Sequence, residues 1–592
     1  MDIGELSSYK PPNTSKRPAA GEEDDDDEWE IVRQSKKLDE LTEKEKQDIL
    51  NKETKAPEVE ALDEATLERL ILLFEKRALR NQKMRVKFPD QPEKFMESEV
   101  ELHETMQKLQ IAVTNPTNLY LYCILMVKLG AVPSLLELLS HKNTDIAVGV
   151  VELLFEFTYD TYYNILDAIQ KESADTFINA LLEQQVFTLL VQNLERLDET
   201  VVKEDTGVCH TLEFFDELLE FRPDLCADAG KQGLMQWLLS RVKIITKTFS
   251  DLNHIWACSL LSKLVEHTPE NRLLLGDLDG IDVLLQQLAY LPRSQNREKY
   301  DDERIMKDLF DVLCSSLMAT VNRDRFLRGG GLQIMNLMLR EKEMSWDGSL
   351  KVLDHAMNGP DGKDNCSKFV DILGLRTIFP LFMKTPTRNR NRMRGLTAED
   401  DEKHVISIIA SLLKNCKGQQ RQTLLSYFTE NDYEKVNRLM ELHFKYLEKV
   451  EEVRKKVEEV KKKVEEVNGK DDEDEEELYS RRLDGRLFIL QLIDYVLLEA
   501  CTGCPPAVKQ RIKDLLAQRS LKTIRYIMRE YAGNLEDAGD TVKQRMTRIL
   551  AQRSLNRIRH IMREYAGNLG DAGDTEWKEA EQQRILQLIE KF

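Results

Sequence analysis

The stretch GAVPSLLELLSHKNTDIAVGVVELLFEFT, Gly130 to Thr158, decides the fold. It opens on a turn, runs through a leucine-rich helix, breaks at HKNTD, and resumes as a second apolar helix. The apolar residues recur every three or four positions, which gathers them on one face of a helix. Nothing in it supplies a nucleophile, a set of metal ligands or a phosphate cradle. One such helix pair cannot hide its apolar face, but a stack of pairs can.

Related stretches cover 183–220, 231–267, 278–318, 329–357 and 373–415. Each carries a turn, a helix with the pattern LLxxL, a loop and a second apolar helix. Gly130, Gly233, Gly280, Gly331 and Gly374 mark the turns. Their separations, about 40 to 50 residues or about twice that, belong to the HEAT and armadillo class. The expected fold is therefore all-α, an armadillo/HEAT-type right-handed superhelical solenoid with an N-terminal helical cap and a C-terminal helical extension.

Outward from the repeats, 1–60 reads as a disordered acidic tail, with GEEDDDDEWE at 21–30 packing like charges side by side. Lys16, Arg17 and Pro18 are a minimal candidate nuclear-import signal. Residues 61–112 read as a helical cap and 113–447 as the repeats. Residues 448–480 hold a charged helix with valines at 450, 453, 457, 460, 464 and 467, a heptad seam, and then an acidic linker. Residues 481–592 return to apolar helix and contain a tandem duplication. Units 508–541 and 542–575 are offset by 34 residues and identical at 26 of 34 positions. That length suits a tetratricopeptide repeat, but the Trp, Gly and Ala pattern of that class is missing.

The chain has 592 residues, is 41% apolar and 32% charged, and carries a formal charge of −20. That charge disfavours the phosphate backbone of nucleic acid and favours basic partners. The N-terminus lacks the apolar core of a signal peptide, and the apolar run from Tyr120 to Val127 falls short of the about 20 residues a membrane span needs. The expectation is a soluble, intracellular chain with reduced, buried cysteines.

Catalytic chemistry is hard to find. Cys501 and Cys504 form a single CxxC without the second ligand pair of a structural zinc site. Gly329, Gly330 and Gly331 precede a helix but lack the Lys-Ser/Thr of a phosphate loop. NGPDGKDN at 358–365 lacks the glutamate that closes a calcium loop. No enzyme, cofactor or metal is expected. KTPTRNRNRMRG at 384–395 is a basic loop in an acidic chain. The second helices carry acids in pairs, Glu152 with Glu156, Glu213 with Asp216, and Asp308 with Asp311. Spacings of three or four put each pair on one helix face. Such a row would grip Lys- and Arg-rich peptides, Arg through bidentate contacts.

Longer words then carry a resemblance. KFPDQPEKFMESEVEL (87–102), LDGIDVLLQQL (278–288), KVLDHAMNGPDGKDNCSKFVDILGLRTIFPLFMK (351–384) and RRLDGRLFILQLIDY (481–495) resemble the β-catenin-like proteins of the splicing machinery. So do MDIGELSSY at the start and EQQRILQLIEKF at the end. The resemblance implies an armadillo fold with an unusual helical cap. It implies a nuclear, non-enzymatic scaffold of pre-mRNA splicing, associated with the nineteen complex and binding basic, nuclear-localisation-like segments of splicing factors. Importin is a further candidate partner; nucleic acid and membrane are not expected. The acidic groove is a reading of the charges and not part of the resemblance. An importin-like transport adaptor is the alternative. It would need repeated Trp and Asn pairs, whereas the five tryptophans (Trp29, Trp237, Trp256, Trp346, Trp577) form no array. Three features depart from the family: the tail is poor in basic clusters, the valine heptad is unfamiliar, and the AQRSL…REYAGN unit occurs twice.

Overall fold

The computed structural model describes residues 64–113, 116–163, 168–244, 251–290, 299–341, 346–384, 397–468, 487–517, 580–581 and 583–588. All belong to the compact unit Asp63–Phe592. Helix dominates, and there is no strand among the described residues. The candidate import signal, the duplicated unit beyond Ala517 and the basic loop beyond Lys384 lie outside the described residues.

Two antiparallel helices, α1 (Glu64–Lys87) and α2 (Met96–Val113), come first. Six repeats follow, and each has three helices where the sequence suggested two. They are α3 (Pro116–Lys128), α4 (Val132–Glu137) and α5 (Thr144–Tyr163); α6 (Ala168–Glu183), α7 (Val186–Leu194) and α8 (Val202–Phe221); and α9 (Cys226–Ala229), α10 (Met235–Lys243) and α11 (Leu252–Glu266). Then come α12 (Pro269–Asp277), α13 (Gly280–Tyr290) and α14 (Lys299–Ser316); α15 (Thr320–Arg328), α16 (Gly331–Glu341) and α17 (Trp346–Met357); and α18 (Lys363–Asp371), α19 (Leu375–Met383) and α20 (Ala398–Asn415). Helices α21 (Gly418–Ser426), α22 (Glu434–Asn468), α23 (Leu487–Gly503) and α24 (Pro506–Ala517) close the order.

Equivalent helices stack on one another. The long third helices form a ladder α2–α5–α8–α11–α14–α17–α20–α23, while the middle helices α10, α13, α16, α19 and the first helices α12, α15, α18, α21 form ladders of their own. Three ladders define an armadillo solenoid. Local sequence sets the helix starts. Pro269 occupies the first turn of α12, where a missing N–H costs nothing. The Thr397 hydroxyl accepts from the Asp400 N–H, and the Asp400 carboxylate accepts from the Thr397 N–H, a reciprocal capping box on α20.

The turn from first to middle helix is built on one left-handed residue per repeat: Gly130, Gln185, Gly233, Asp279, Gly330 and Leu373. Only three of these are glycine, which is why a glycine count tracks the period imperfectly. Gly280, Gly331 and Gly374 serve a different purpose, because a β-carbon there would lie 2.6 Å or less from Leu275, Phe326 and Phe369 respectively.

Buried asparagines join the repeats. Asn271 donates to Leu264 O at 3.0 Å and Cys226 O at 2.7 Å, and Asn322 to Ser316 O at 3.1 Å and Arg272 O at 2.7 Å. The next residue, Arg272 or Arg323, donates to Val265 O at 3.0 Å or Leu317 O at 2.7 Å. Of these, the carbonyls of Leu264, Val265, Ser316 and Leu317 lie at the ends of the long helices α11 and α14, where no further turn of helix supplies an N–H.

The C-terminal end is different. Helix α23 packs between α20 and α22 and is buried from Leu487 to Cys501. Its Asp494 meets His443 of α22 at 2.5 Å. Glu499 accepts from Arg421, from Tyr495 at 2.7 Å and from Arg584 at 2.7 Å. Arg584 also donates to Leu413 O and Lys414 O, and Ile585 is wholly buried, so the segment near the chain end is part of the core. The charged helix expected over 448–480 is continuous with α22, which begins at Glu434; Val450 is buried and Val453 half-buried.

Candidate peptide-binding face

The exposed edges of successive long helices make one surface. Glu152 and Glu156 lie on α5, Glu213 and Asp216 on α8, and Asp308 and Asp311 on α14, all partly exposed. Between the last two pairs stands α11, with Trp256 and Lys263 on the same edge. Phe155 of α5 stacks on His210 of α8, with ring centroids 4.7 Å apart and planes 3° from parallel. The Arg304 guanidinium sits over Trp256, 5.5 Å from the ring centroid.

The six acids do not stand in equal surroundings. The Lys263 ammonium lies 2.8 Å from Asp216 and 3.3 Å from Glu220. The Lys351 ammonium donates to Asp311 at 2.9 Å, with Lys307 3.2 Å away. Burial alone would raise the Asp311 carboxyl, but these two ammonium groups hold it below its ordinary range. Asp216 and Asp311 are thus already matched by the chain's own lysines.

The other acids are matched less well. Burial pushes Asp308 up to about 6, opposed by Lys307 and reinforced by Asp311 and Asp216. Burial and then Asp216 raise Glu213. Burial raises Glu152, with Lys203 opposing. Glu217 of α8 is raised by the same causes as Glu213. Sequence reading passed over Glu217, although its four-residue step from Glu213 was the signal. Asp216 acts on Glu213, Glu217 and Asp308 alike, so these carboxylates share one electrostatic neighbourhood. A carboxylate whose charge is disfavoured gains when a cation arrives.

Towards α20 the surface closes on itself. Glu402 of α20 accepts from Lys445 at 2.6 Å and Tyr446 at 2.7 Å of α22, with Arg438 at 3.3 Å, and Glu399 accepts from Lys449. Of the acids on α5, α8 and α14, Glu152, Glu213, Glu217 and Asp308 are those whose charge burial disfavours.

The family model described as "Catenin-beta-like, Arm-motif containing nuclear" matches residues 44–529. The chain belongs to this catenin-beta-like family. Among its relatives, Beta-catenin-like protein 1 of Rattus norvegicus is 46% identical over 626 aligned residues, covering 100% of both chains. The Homo sapiens protein of that name is 50% identical over 480 residues, 80% of this chain and 83% of the relative. The Schizosaccharomyces pombe homolog is 27% identical over 504 residues, 84% and 83% of the two.

In this catenin-beta-like chain the other sequence candidates fall into structural places. Cys501 is buried and Cys504 half-buried; burial pushes their thiols up to about 12 and about 11, which disfavours the thiolates that bind metal or react. Gly331 begins α16 against Phe326. In the 358–365 loop Asp361 accepts from Thr320 at 2.8 Å, the Asn358 carbonyl accepts from Arg323, and Asn365 is buried. No cluster of metal-ligating side chains occurs among the described residues, and no single helix there is long and apolar enough to cross a membrane.

Proposed function

We propose that this chain is a nuclear, non-catalytic scaffold of pre-mRNA splicing that holds basic, nuclear-localisation-like segments of splicing factors along its long-helix face. The single observation that carries the reading is the contrast among the acids. Asp216 and Asp311 are saturated by lysines, whereas Glu152, Glu213, Glu217 and Asp308 have raised pKa values and gain most from an arriving Lys or Arg. Family membership supports the nuclear setting, and the resemblance to β-catenin-like splicing proteins supplies the process. The importin-like alternative finds less support: Trp346 is in the core, Trp237 sits on the middle helix α10, and Trp256 is covered by Arg304.

A pull-down from nuclear extract tests the reading. Wild-type chain should retain splicing factors of the nineteen complex, and Glu213→Lys combined with Asp308→Lys should lose them. Equal recovery by both would refute the acidic-face mechanism. Asp308 is a better choice than Asp216, because reversal at Asp216 would first disturb Lys263.

A further inference from the structure

Helices α11 and α14 end on carbonyls that an arginine of the following first helix covers, Arg272 for one and Arg323 for the other. The end of α20 follows the same scheme. Arg421 of α21 donates to Leu413 O, and also to the Glu499 carboxylate of α23. Yet a second arginine serves the same groups. Arg584 donates to Leu413 O at 3.0 Å, to Lys414 O at 3.1 Å and to Glu499 at 2.7 Å. It stands 170 residues along the chain from Lys414 and 85 from Glu499. Arg584 is therefore surplus to the scheme that closes α11 and α14.

The segment that carries it has the form of a helical ligand. Its described residues, 580–581 and 583–588, are helical; Glu581, Ile585 and Leu588 are buried, while Ala580, Gln583 and Gln587 are exposed. Positions 581, 584, 585 and 588 fall on one helix face. Glu581 lies 3.5 Å from the Lys414 ammonium, which itself sits over the Tyr495 ring, 4.8 Å from its centroid. A helix this short is not stable alone in water, so its binding site supplies its order. When it leaves, Glu499 keeps Arg421 and Tyr495, and Leu413 O keeps Arg421. Exchange therefore strands no buried charge, the usual cost of removing one partner of such a pair.

We propose that the end of α20, with Arg421, Tyr495 and Glu499, is a docking site for a short amphipathic helix of a partner, and that the chain's own last helix is its exchangeable occupant. The partner helix carries an acid, an Arg three residues on, and apolar residues at the fourth and seventh positions after the acid. The acid meets Lys414, the Arg meets Glu499 and the α20 carbonyls, and the apolar pair is buried. Tethering holds the chain's own segment at an effective concentration on the order of 1 mM. A free dissociation constant of about 10 µM then keeps the site closed about a hundredfold over open. A partner enters when it binds more tightly or is itself held close by.

The test uses the full chain with a protease recognition sequence inserted after Gly573, so that the last helix can be released from its tether after folding. A fluorescein-labelled synthetic peptide of residues 577–592 is the probe, read by anisotropy. The cut protein should bind it with a dissociation constant of about 1–100 µM, and the uncut protein at least tenfold more weakly. An Arg584→Met peptide should lose at least tenfold, and a Gln583→Ala peptide should bind as the parent does. A peptide that keeps Glu581, Arg584, Ile585 and Leu588, with alanine elsewhere, stands for the partner and should displace the probe. Equal binding to cut and uncut protein would place the peptide elsewhere and overturn the proposal, as would equal binding of the Arg584→Met peptide. Failure of the four-residue peptide to compete would overturn the stated partner chemistry. Circular dichroism of the cut protein covers the remaining case: if it binds no probe, or unfolds as the tail is lost, the last helix is a fixed part of the core and the proposal fails.

Discussion

Asn322 shows at the scale of one residue how these repeats hold together. From the repeat that follows, its amide donates to the carbonyls of both Ser316 and Arg272 in the repeat before, and its oxygen accepts from Arg325 at 2.9 Å. A β-carbon on Gly276 would lie 1.9 Å from that oxygen. Asn322→Ala removes two buried amide-to-carbonyl bonds, so a loss of about 1–3 kcal/mol is expected in a denaturant melt; an unchanged midpoint would show that water takes the amide's place. Nothing in the sequence announced this role, since a helical Asn reads as surface polar until its repeat at 271 and 322 is aligned. Asp308 works in the opposite direction. It titrates near 6 when folded and at 3.8 otherwise, so the folded chain binds its proton more tightly. That contribution to stability is complete below the unfolded value and is lost as pH rises through the folded one. Asp308→Asn should therefore stabilise the chain at neutral pH, by about 3 kcal/mol at most, with the gain fading in acid. Melts across this pH window check the sign. Binding of basic peptide should weaken in the same variant.

Among the elements, the long third helices were legible and the short first helices were not. Runs such as DIAVGVVELLFEF carry enough apolar residues to show their period. PENRLLLGD and TVNRDRFLR are nine-residue helices of mixed polarity whose position depends on neighbouring repeats. Charge pairs were legible as helix faces, but which acids meet lysines was not, because Lys263 and Lys351 come from other helices. The C-terminal end was less legible for a related reason: α22 runs unbroken from Glu434 through the valine heptad, and Arg584 returns from far along the chain to Glu499. Arg584→Met should cost about 3 kcal/mol, the usual effect of stripping a partner from a buried charge, less whatever Arg421 still compensates. A chain lacking 580–592 should melt lower still. By contrast, deleting the second duplicated unit, 542–575, should leave the melt unchanged; a large drop would mean that both copies belong to the folded core.

The whole molecule combines a net charge of −20 with a surface on which part of that charge is answered internally. Attraction between such a face and a basic segment is long-range and weakens with salt, over a screening distance of about 8 Å at physiological ionic strength. Raising salt should therefore slow association more than dissociation in a kinetic binding assay. The most direct test of the central claim is the affinity of a synthetic Lys- and Arg-rich peptide for the full chain, measured by fluorescence anisotropy. The same titration is run on Glu213→Lys with Asp308→Lys. A loss of at least about tenfold, or about 1.4 kcal/mol, with a reduced salt dependence is the expected result. Equal affinity and equal salt dependence for the two proteins would contradict it.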